Sequence, residues 1–551
     1  MPPSSSEHSR FEPKAATPTP DRHRVDYFPS SASRAEVFRS ARMKNDLPDD
    51  AALTELLRAQ RAAHMREPYP PWDARAAHLT ALRTMLLDNS DALADALSAD
   101  FGQRAKAELL LSELWLARNE IDSALRHGRQ WMKTQRRATG LWLWPARAEV
   151  MPQPLGVIGI IAPWNYPVLL AAGPLICALA AGNRAMIKMS EWTPHTSALM
   201  ERLIGATFAL DHVAVVNGDD SVGAAFSALP FDHLLFTGSA SVGRKIMRSA
   251  AEHLTPVTLE LGGKSPAIVG PHARFHAAVD SIVAGKTLNA GQTCIAPDYV
   301  LVPRGSEEAF IARARHRVAK LYPDFAHNRD YTTIVSDRHF FRLLDLADEA
   351  VAGGAQLHPL ADMPQPLANG LEPELSRSEG DLHGDSESAI GQTRRRKASI
   401  PADPTSRRVA PCIVTNAPAD CSLMREEIFG PLLPLVPYDT LDEAIHHVNA
   451  RERPLALYLF DEERATVDRV LRETVSGGVA INETLLHIAC EGLPFGGVGA
   501  SGMGAYHGYE GFMTFSKMKP VFRQARLNGR ALLLPPYGRR FNTVMNLMLR
   551  R

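Results

Sequence analysis

Between Pro154 and Val269 the chain alternates short apolar runs with helical segments, and this pattern constrains the fold more than any other feature. Buried strands separated by helices are typical of a mostly parallel, doubly wound sheet with right-handed crossovers. Such sheets bind nucleotides at the carboxyl ends of their strands. We therefore predict an α/β fold with strands at Val157–Ile161, Arg184–Lys188, Val213–Val216, His233–Phe236 and Val257–Leu261.

The length of 551 residues is too great for one ordinary core and predicts two or three packed units. Apolar residues spaced by three and four predict helices from Asp49 to about Arg137. A Trp-containing stretch, Leu141–Val150, predicts a hairpin strand. Further apolar segments predict a second α/β unit, with strands at Ala267–Val269, Tyr299–Val302, Ile413–Val414 and Leu455–Phe460.

We combine these patterns into a domain prediction. Residues 46–137 and 151–262 form a dinucleotide-binding domain, residues 263–480 form a catalytic domain, and residues 138–150 and 481–525 form a small β oligomerisation element. Three polar or mixed segments lie outside these cores: a disordered extension at 1–45, a flexible insertion at 363–408 and a C-terminal tail at 526–551.

The insertion carries a basic run, Arg394–Lys397, which is either a solvated loop or a contact for nucleic acid or anionic lipid. The balance of 61 Lys and Arg against 61 Asp and Glu favours the solvated loop. The tail is either a docking helix or a packed or frayed terminus. We expect a small-molecule partner and no nucleic acid.

Five scattered cysteines without paired spacing predict reduced thiols in a reducing compartment. No apolar run reaches membrane-spanning length, since the candidate Leu169–Ala181 is short and broken by Gly173 and Pro174. The N-terminal extension has acidic residues and no apolar stretch, so it is a poor targeting signal. These features predict a cytoplasmic protein without an integral membrane segment.

The segment NAGQTC places the thiol of Cys294 after small, flexible residues. An isolated cysteine is usually a small buried hydrophobic residue. A nucleophilic cysteine needs a partner that makes or uses the thiolate, and donors for an oxyanion. Glu260, in an apolar strand before a glycine turn, is either a general base or a structural ion-pair member. Asn165, just past the first predicted strand, is either an oxyanion donor or a turn residue.

Six motifs together resemble those of the aldehyde dehydrogenase superfamily. The resemblance covers the chain from about Asp49 to Gln524. The strings HLTPVTLELGGKSP, APDY and GMGAYHG are similar to the class 3 branch, most of all to the coniferyl aldehyde dehydrogenases. The six motifs stand in the family's order: PWNYP, FTGS with VG following, LELGGK, GQTC, EEIFGP and PFGGVGASGMG.

The resemblance implies NAD(P)-dependent oxidation of an aldehyde, either aromatic such as coniferyl aldehyde or medium-chain aliphatic, to the carboxylic acid. It makes Cys294 the nucleophile, Glu260 the base that activates the hydrolytic water, and Asn165 an oxyanion donor beside the backbone N–H of Cys294. Attack by the thiolate would give a thiohemiacetal, which loses hydride to the nicotinamide and becomes a thioester.

The resemblance also implies the cofactor site. The string FTGSASVG follows a strand and opens a helix, so that Gly238, Ser239 and Gly243 would meet a phosphate at the helix N-terminus. This string departs from the usual GxGxxG fingerprint and by itself predicts only a strand-to-helix turn. Lys188 and Glu191 would reach the adenosine ribose, although alone they would be solvated surface charges.

A carboxylate near the ribose prefers free hydroxyls, so Glu191 favours NAD, with NADP possible. Glu427 and Phe429, in EEIFGP, resemble the pair that holds the nicotinamide ribose and packs beside the ring. An exposed loop glutamate and a core phenylalanine are the alternatives for these two residues.

Two other functions remain open at this point. A CoA-acylating or semialdehyde dehydrogenase would use the same cysteine, but such branches tend to lack the base that Glu260 provides. A non-catalytic nucleotide-binding protein would have a broken catalytic set. We assign no role to His487, Cys490 or His507 and expect no metal, because their spacing fits no metal site. The resemblance implies a homodimer.

Overall fold

The computed structural model describes residues 48–363 and 399–549, and its strands form four sheets. The predicted α/β architecture is confirmed. Numbered in chain order, the strands are β1 Gln135–Arg137, β2 Arg147–Pro154, β3 Val157–Ile161, β4 Arg184–Lys188, β5 Val213–Val216, β6 His233–Gly238, β7 Val257–Leu261, β8 Pro266–Val269, β9 Tyr299–Pro303, β10 Gln356–Pro359, β11 Ala402–Asp403, β12 Arg408–Val409, β13 Cys412–Thr415, β14 Leu432–Tyr438, β15 Ala456–Phe460, β16 Gly478–Ile481, β17 Gly502–Met503 and β18 Ser516–Arg523.

Helices cover the sheets and fill the N-terminal region of the described chain. The predicted helical stretch holds as far as Trp131, but its last three residues form β1 instead. The α-helices are Asp50–Arg66, Trp72–Asp88, Ser90–Phe101, Lys106–Leu109, Trp115–Trp131, Leu169–Ala181, Pro194–Thr207, Asp220–Ser227, Ala240–Ala251, Phe275–Thr287, Glu307–Leu321, Asp337–Ala352, Ser422–Arg425, Leu441–Asn449, Arg464–Glu473, Gly508–Thr514 and Arg539–Leu549.

The first sheet has the strand order β17-β7-β6-β3-β4-β5. Five strands run parallel, and only β17 is antiparallel. From β3 the chain adds β4 and β5 on one side and then β6 and β7 on the other. A crevice therefore opens beyond the carboxyl ends of β3 and β6, which is where open α/β sheets bind ligands. All five predicted strands are confirmed, and β6 extends two residues further, because Thr237 and Gly238 pair with β7.

The second sheet has the order β10-β13-β14-β9-β8-β15-β16, with only the edge strand β10 antiparallel. The four predicted segments of this unit coincide with β8, β9, β13 and β15, except that Leu455 precedes the start of β15. Strand β14 was not predicted from the sequence, because Pro434 and Pro437 interrupt its apolar pattern. The two sheets and their helices pack together as one unit, Leu47–Arg551.

A third sheet, β1-β2-β18, is antiparallel and joins residues far apart in sequence. The hairpin strand predicted over Leu141–Val150 is wrong in its first half, since Leu141–Leu143 forms a 3₁₀ turn. Strand β2 instead begins at Arg147 and runs to Pro154, because β18 pairs with it over all eight residues. This pairing could not be read from local periodicity.

The predicted flexible insertion at 363–408 extends too far toward the C-terminus. Residues 399–408 are placed, with β11 and β12 paired as an antiparallel ribbon. The guanidinium of Arg408 is 4% exposed and donates to the carbonyl of Phe325 at 3.0 Å, which anchors the end of this segment. Residues 364–398, with the basic run, lie outside the described residues, as does the extension at 1–45.

One helix forms the centre of the core. Every residue of Leu169–Ala181 is buried, and the helix packs against helix Trp115–Trp131. Among the described residues, no helix is both long and apolar enough to cross a bilayer. In the tail, the helix Arg539–Leu549 has no buried residue.

Candidate active site

The predicted site residues of the first sheet gather at its carboxyl edge. Asn165 follows β3, Lys188 ends β4, Ser239 follows β6, and Glu260 is the penultimate residue of β7. Parallel strands place their carboxyl ends on one edge, which explains why residues up to 95 positions apart meet there. Cys294 lies on the loop before β9, in the part of the chain that forms the second sheet.

The loop before Cys294 has an unusual backbone. Asn289, Ala290 and Gly291 are consecutive residues with φ of 50°, 52° and 76°. A left-handed alanine costs roughly 1–2 kcal/mol, so the surroundings must hold this conformation. Gly291 is required here, because a Cβ at this position would collide with the carbonyl of Gly430.

Buried hydrogen bonds of Gln292 hold the loop in place. The fully buried side chain donates from Nε2 to the carbonyls of Asn289 (3.0 Å) and Thr333 (3.1 Å) and accepts from the N–H of Val335 (3.0 Å). These bonds engage both N–H groups and the oxygen of the side-chain amide. The position of the cysteine two residues later is thereby fixed to the rest of the protein.

Asn165 connects the first sheet directly to this loop. Its side chain is buried, and Nδ2 donates to the carbonyl of Gln292 at 3.2 Å. An amide nitrogen carries two hydrogens, so Asn165 can donate a second hydrogen bond from the same Nδ2. The backbone carbonyl of Asn165 accepts from Arg104 (2.9 Å) and Asn289 (3.1 Å).

A buried charge cluster behind Asn165 escaped the sequence analysis. Arg104 lies 3.3 Å from Glu113 and 3.6 Å from Glu108. Glu113 in turn accepts the backbone N–H groups of Val168 and Leu169, at the start of the helix after Asn165. In the sequence these charges look like the polar face of a helix, because the backbone groups that Arg104 and Glu113 contact are more than fifty residues away.

Glu260 is a buried carboxyl group, and no cation within the described part of the chain acts on it. The residue is 3% exposed, and within the described residues neither carboxyl oxygen accepts a hydrogen bond. Burial raises its pKa well above the ordinary value. A carboxyl group in such a setting is poised to bind a proton, which is the property of a general base near neutral pH.

Cys294 is partly exposed and lies within electrostatic reach of two carboxyl groups. Burial, together with the charges of Glu427 and Glu260, raises the pKa of its thiol to about 12. The backbone N–H groups of Cys294 and Ile295 face the sulfur and act in the opposite direction on this pKa. All five cysteines are free thiols.

Glu427 lies against the glycine turn after β7. Its carboxyl oxygen occupies the place that a Cβ on Gly262 would take, which explains the need for glycine there. Burial raises the pKa of Glu427 to about 8. The loop is fixed by Asp298, which accepts the N–H of Ile428 and forms a 2.7 Å ion pair with Lys264.

Phe429, on the same loop as Glu427, contacts the segment that follows β3 of the first sheet. Its ring lies edge-on to that of Trp164, with centroids 5.3 Å apart. Trp164 belongs to the PWNYP motif and immediately precedes Asn165. The structure therefore brings the EEIFGP, PWNYP, LELGGK and GQTC motifs into one neighbourhood.

The turn after β6 has the features expected of a phosphate site. Ser239 caps helix Ala240–Ala251, accepting the N–H of Val242. A Cβ on Gly238 would approach the Phe236 ring to 2.5 Å, and one on Gly243 would approach Leu261 to 2.7 Å, so larger residues do not fit. The side chain of Val242 is 41% exposed at this helix start. The free N–H groups of the first turn favour an anionic group.

Lys188 and Glu191 form a pair at the end of β4. The ammonium of Lys188 is 3% exposed, donates to the carbonyl of Met189 at 2.7 Å and lies 3.3 Å from the Glu191 carboxylate. Glu191 is about one-third exposed. Together they present a charge pair with hydrogen-bonding capacity beside the crevice, which fits the hydroxyl groups of a ribose.

The fold and this site define a nucleotide-binding α/β protein with a cysteine-centred reactive site. The chain matches the model of the aldehyde dehydrogenase family over residues 47–371 and 389–521, and it belongs to this family. Its activity is the NAD(P)-dependent oxidation of an aldehyde. Among the residues that the structure describes, no group of three or more His, Cys, Asp or Glu side chains is arranged to hold a metal ion.

Individual relatives cover nearly the whole chain. A "Probable coniferyl aldehyde dehydrogenase" of Pseudomonas aeruginosa is 48% identical over 88% of this chain and 94% of its own. The coniferyl aldehyde dehydrogenase of a Pseudomonas species is 41% identical over 90% of this chain and 96% of its own. This agrees with the class 3 and coniferyl aldehyde dehydrogenase resemblance of the motifs.

Solved structures agree with the fold. Substrate-bound AldH of Staphylococcus aureus has a TM-score of 0.78 at 34% identity, over 90% of this chain and 99% of that protein. A Mycobacterium tuberculosis aldehyde dehydrogenase complexed with NAD⁺ has a TM-score of 0.72 at 26% identity, over 87% of this chain and 91% of that one.

Proposed function

We propose that this enzyme oxidises an aromatic or medium-chain aldehyde, with coniferyl aldehyde as the candidate substrate, to the carboxylic acid through a thioester on Cys294. The observation that carries the proposal is the Cys294 thiol within electrostatic reach of the buried Glu260 carboxyl group, two residues after the carbonyl that Asn165 anchors. The coniferyl aldehyde dehydrogenases among the relatives support the substrate.

The first step is attack of the Cys294 sulfur on the aldehyde carbon. The new oxyanion would accept from the second N–H of Asn165 and from the backbone N–H of Cys294. Such donors need to be in place before the reaction, and the hydrogen bonds from Gln292 and Arg104 provide this rigidity. Collapse of the oxyanion would break the C–H bond of the former aldehyde carbon and leave an acyl group bonded to the sulfur, and the bound dinucleotide would be the acceptor of that hydride.

The second step is hydrolysis, for which we propose Glu260 as the base. Its raised pKa lets it take a proton from water, and the resulting hydroxide attacks the thioester carbonyl. Hydrolysis distinguishes this reaction from a transfer to CoA. The base that hydrolysis needs is present, and this favours the acid as product.

The cofactor site would use residues from both units. Ser239, Gly238 and Gly243 would hold the dinucleotide phosphates, and Lys188 with Glu191 would hold the adenosine ribose. Glu427 and Phe429 would hold the nicotinamide ribose and ring. When bound, the dinucleotide supplies the acceptor for the hydride. Glu191 would repel a 2′-phosphate, so we propose a preference for NAD over NADP.

A steady-state assay tests the function directly. With coniferyl aldehyde and NAD, the wild type should form NADH and ferulate in equal amounts, and added CoA should not change the product. Formation of an acyl-CoA would favour the acyl-transfer alternative. Absence of NADH formation with aromatic and with medium-chain aldehydes would contradict the proposal.

We also propose a cytoplasmic homodimer. The turn between β1 and β2 exposes four large apolar side chains in a row, Leu141–Trp144, of which Leu141 is 80% and Trp144 74% exposed. Contiguous exposed apolar groups mark interaction sites, and the free edges of the β1-β2-β18 sheet lie beside them. A cytoplasmic location suits the free Cys294 thiol. Analytical ultracentrifugation should give a dimer, and Trp144→Ser should weaken it; a monomeric wild type would contradict this.

A further inference from the structure

A buried arginine contacts both chain segments that meet at the reactive site. The side chain of Arg104 has no exposed surface. Its guanidinium forms one hydrogen bond of good geometry within the described residues, from Nη1 to the carbonyl of Asn165 at 2.9 Å. Because a buried charge is costly unless it is paired and hydrogen-bonded, opening this contact would be unfavourable. Arg104 therefore fixes the backbone of Asn165.

Glu108 extends the contact from Arg104 to the loop before Cys294. Its Oε2 lies 3.6 Å from Nε of Arg104 and accepts from the hydroxyl of Thr332 at 2.6 Å. Its other oxygen, Oε1, accepts the backbone N–H of Asn289 at 3.1 Å. Asn289 is the first of the three consecutive residues with positive φ, so Glu108 holds the backbone at the point where the unusual conformation of the loop begins.

The ring of Tyr166 provides another contact to the same loop. The guanidinium carbon of Arg104 lies 4.8 Å from the centre of this ring, in a cation–π contact. The Tyr166 hydroxyl is 2.7 Å from Oγ1 of Thr293, the residue before Cys294. Arg104 is therefore linked to the loop at both of its ends.

A π-helical turn explains how two carboxyl groups reach the same guanidinium. Glu108 and Glu113 are five residues apart and would stand about 140° apart around an α-helix. The chain instead forms a π-helical turn over Leu110–Leu114, and both side chains contact Arg104, Glu113 at 3.3 Å. Such turns are rare and frequently occur at functional sites. The backbone here departs from the regular helix where the cluster is built.

We propose that Arg104, acting with Glu108, is a positioning residue that sets the distance between the amide of Asn165 and the sulfur of Cys294, and so prepares the oxyanion site before the aldehyde binds. Neither side chain touches the substrate. Preorganised donors lower the barrier at such a site, and a displacement of about 1 Å by a remote change can cost about a hundredfold in rate. The inference rests on the proposed roles of Asn165 and Cys294.

The first test is Arg104→Lys, which keeps the buried positive charge but lacks the planar fork that contacts several partners at once. The rate of the NADH burst at saturating coniferyl aldehyde should fall about tenfold to a hundredfold, because donor and sulfur are displaced. KM for the aldehyde and the dissociation constant of NAD should change by less than about threefold, because ground-state binding is left intact. Stopped-flow absorbance measures the burst, and calorimetry measures the binding of NAD.

Two variants of Glu108 separate its hydrogen bond from its charge. Glu108→Gln can still accept the N–H of Asn289 and should keep the burst rate to within about threefold of the wild type. Glu108→Leu removes the acceptor and should lower the burst rate as Arg104→Lys does. A wild-type burst rate in Glu108→Leu would overturn the proposal.

The matched control is Arg75→Lys. Arg75 is also buried and donates from Nη1 to the carbonyls of Ala180 and Ala181, at the far end of the helix that begins after Asn165. Thermal melting should show a comparable loss of stability in both lysine variants, whereas the burst rate of Arg75→Lys should stay at the wild-type value. An equal fall of the burst rate in both variants would reduce the effect of Arg104 to general destabilisation and overturn the proposal.

A double-mutant cycle tests whether Arg104 acts through Asn165. In Asn165→Ala the donor that Arg104 positions is absent, so adding Arg104→Lys should lower the burst rate by at most about a further threefold. If the two losses instead multiply in full, Arg104 acts independently of Asn165, which would contradict the proposal.

Hydrogen exchange measures the positioning without turnover and separates it from the proposed function. Peptides that cover residues 289–294 should exchange faster in Arg104→Lys and Glu108→Leu than in the wild type, and unchanged in Arg75→Lys. If the wild type oxidises no aldehyde while exchange changes in this way, the proposed function is wrong and the positioning of the loop is supported. Unchanged exchange of the loop in both variants would overturn the positioning role even in an active enzyme.

Discussion

The two halves of the active site differ in whether their polar groups are paired. At the carboxyl ends of β4 and β6, the polar groups are paired: Lys188 has two partners, and Ser239 caps a helix. Around Cys294, by contrast, Glu260 keeps two buried oxygens without a hydrogen bond in the described protein. The first half is suited to binding a polar ligand, whereas the second keeps proton affinities high for chemistry.

The largest effect should come from removing the sulfur. Cys294→Ala should abolish NADH formation, because no thioester can form, yet NAD should still quench tryptophan fluorescence with a similar dissociation constant. The matched control is Cys421→Ala, which changes a buried thiol in another part of the second unit. Residual aldehyde oxidation by Cys294→Ala would contradict the assignment of Cys294 as the nucleophile.

Loss of the base should be nearly as severe. Glu260→Gln keeps the shape of the side chain but removes its proton affinity, so steady-state turnover should fall about a hundredfold to ten-thousandfold. A rapid burst of NADH should remain, because hydride loss precedes hydrolysis. Stopped-flow absorbance separates the two phases, and loss of the burst together with turnover would assign Glu260 to the first step instead.

Replacing Asn165 tests whether its side chain acts as an oxyanion donor. Asn165→Ala removes one oxyanion donor and should lower kcat about a hundredfold to a thousandfold, with a small change in KM. The control Asn217→Ala changes a partly buried asparagine after β5 that bonds Glu201. A change confined to KM would indicate that Asn165 serves substrate binding.

The pH profile tests the electrostatics of the reactive half. Cys294 and Glu260 both act in their deprotonated forms, and both have raised pKa values. The active fraction therefore grows with pH, and kcat/KM should rise between pH 6 and pH 9, by at most about tenfold per unit for each proton lost. Glu427→Gln removes one charge that raises the Cys294 pKa, so its profile should move to lower pH. A flat profile would contradict this account.

The smallest effect should be at the ribose. Glu191→Gln should raise kcat/KM with NADP relative to NAD by several-fold, because a carboxylate beside a 2′-phosphate is removed. The measurement is the ratio of the two constants at fixed aldehyde concentration. Turnover with saturating NAD should change little, and an unchanged ratio would remove Glu191 from cofactor selection.

The features that were predicted best are those encoded by neighbouring residues in the sequence. The strands of the first sheet carry continuous apolar runs, and four of the five predicted strands match β3, β4, β5 and β7 at both ends. The site motifs were visible because each is a short contiguous string. What they do was taken from the resemblance, since no single string indicates a reaction.

The features that could not be predicted depend on contacts between distant segments. Arg104 contacts Asn165 across 61 residues, and β2 finds its limits only by pairing with β18. Glu120, in helix Trp115–Trp131, looks like part of a polar helix face in the sequence, but the fold places His507 Nε2 3.1 Å from its carboxyl group. The end of the insertion was misplaced because Arg408 is buried against a carbonyl 83 residues away.

The most direct test of the central claim is mass spectrometry of the Glu260→Gln variant after brief mixing with NAD and an aromatic aldehyde. We expect the intact protein to gain the mass of one acyl group, located on the peptide that contains Cys294 and released by hydroxylamine. An unmodified protein that has formed a full equivalent of NADH, or an acyl group on another residue, would contradict the account.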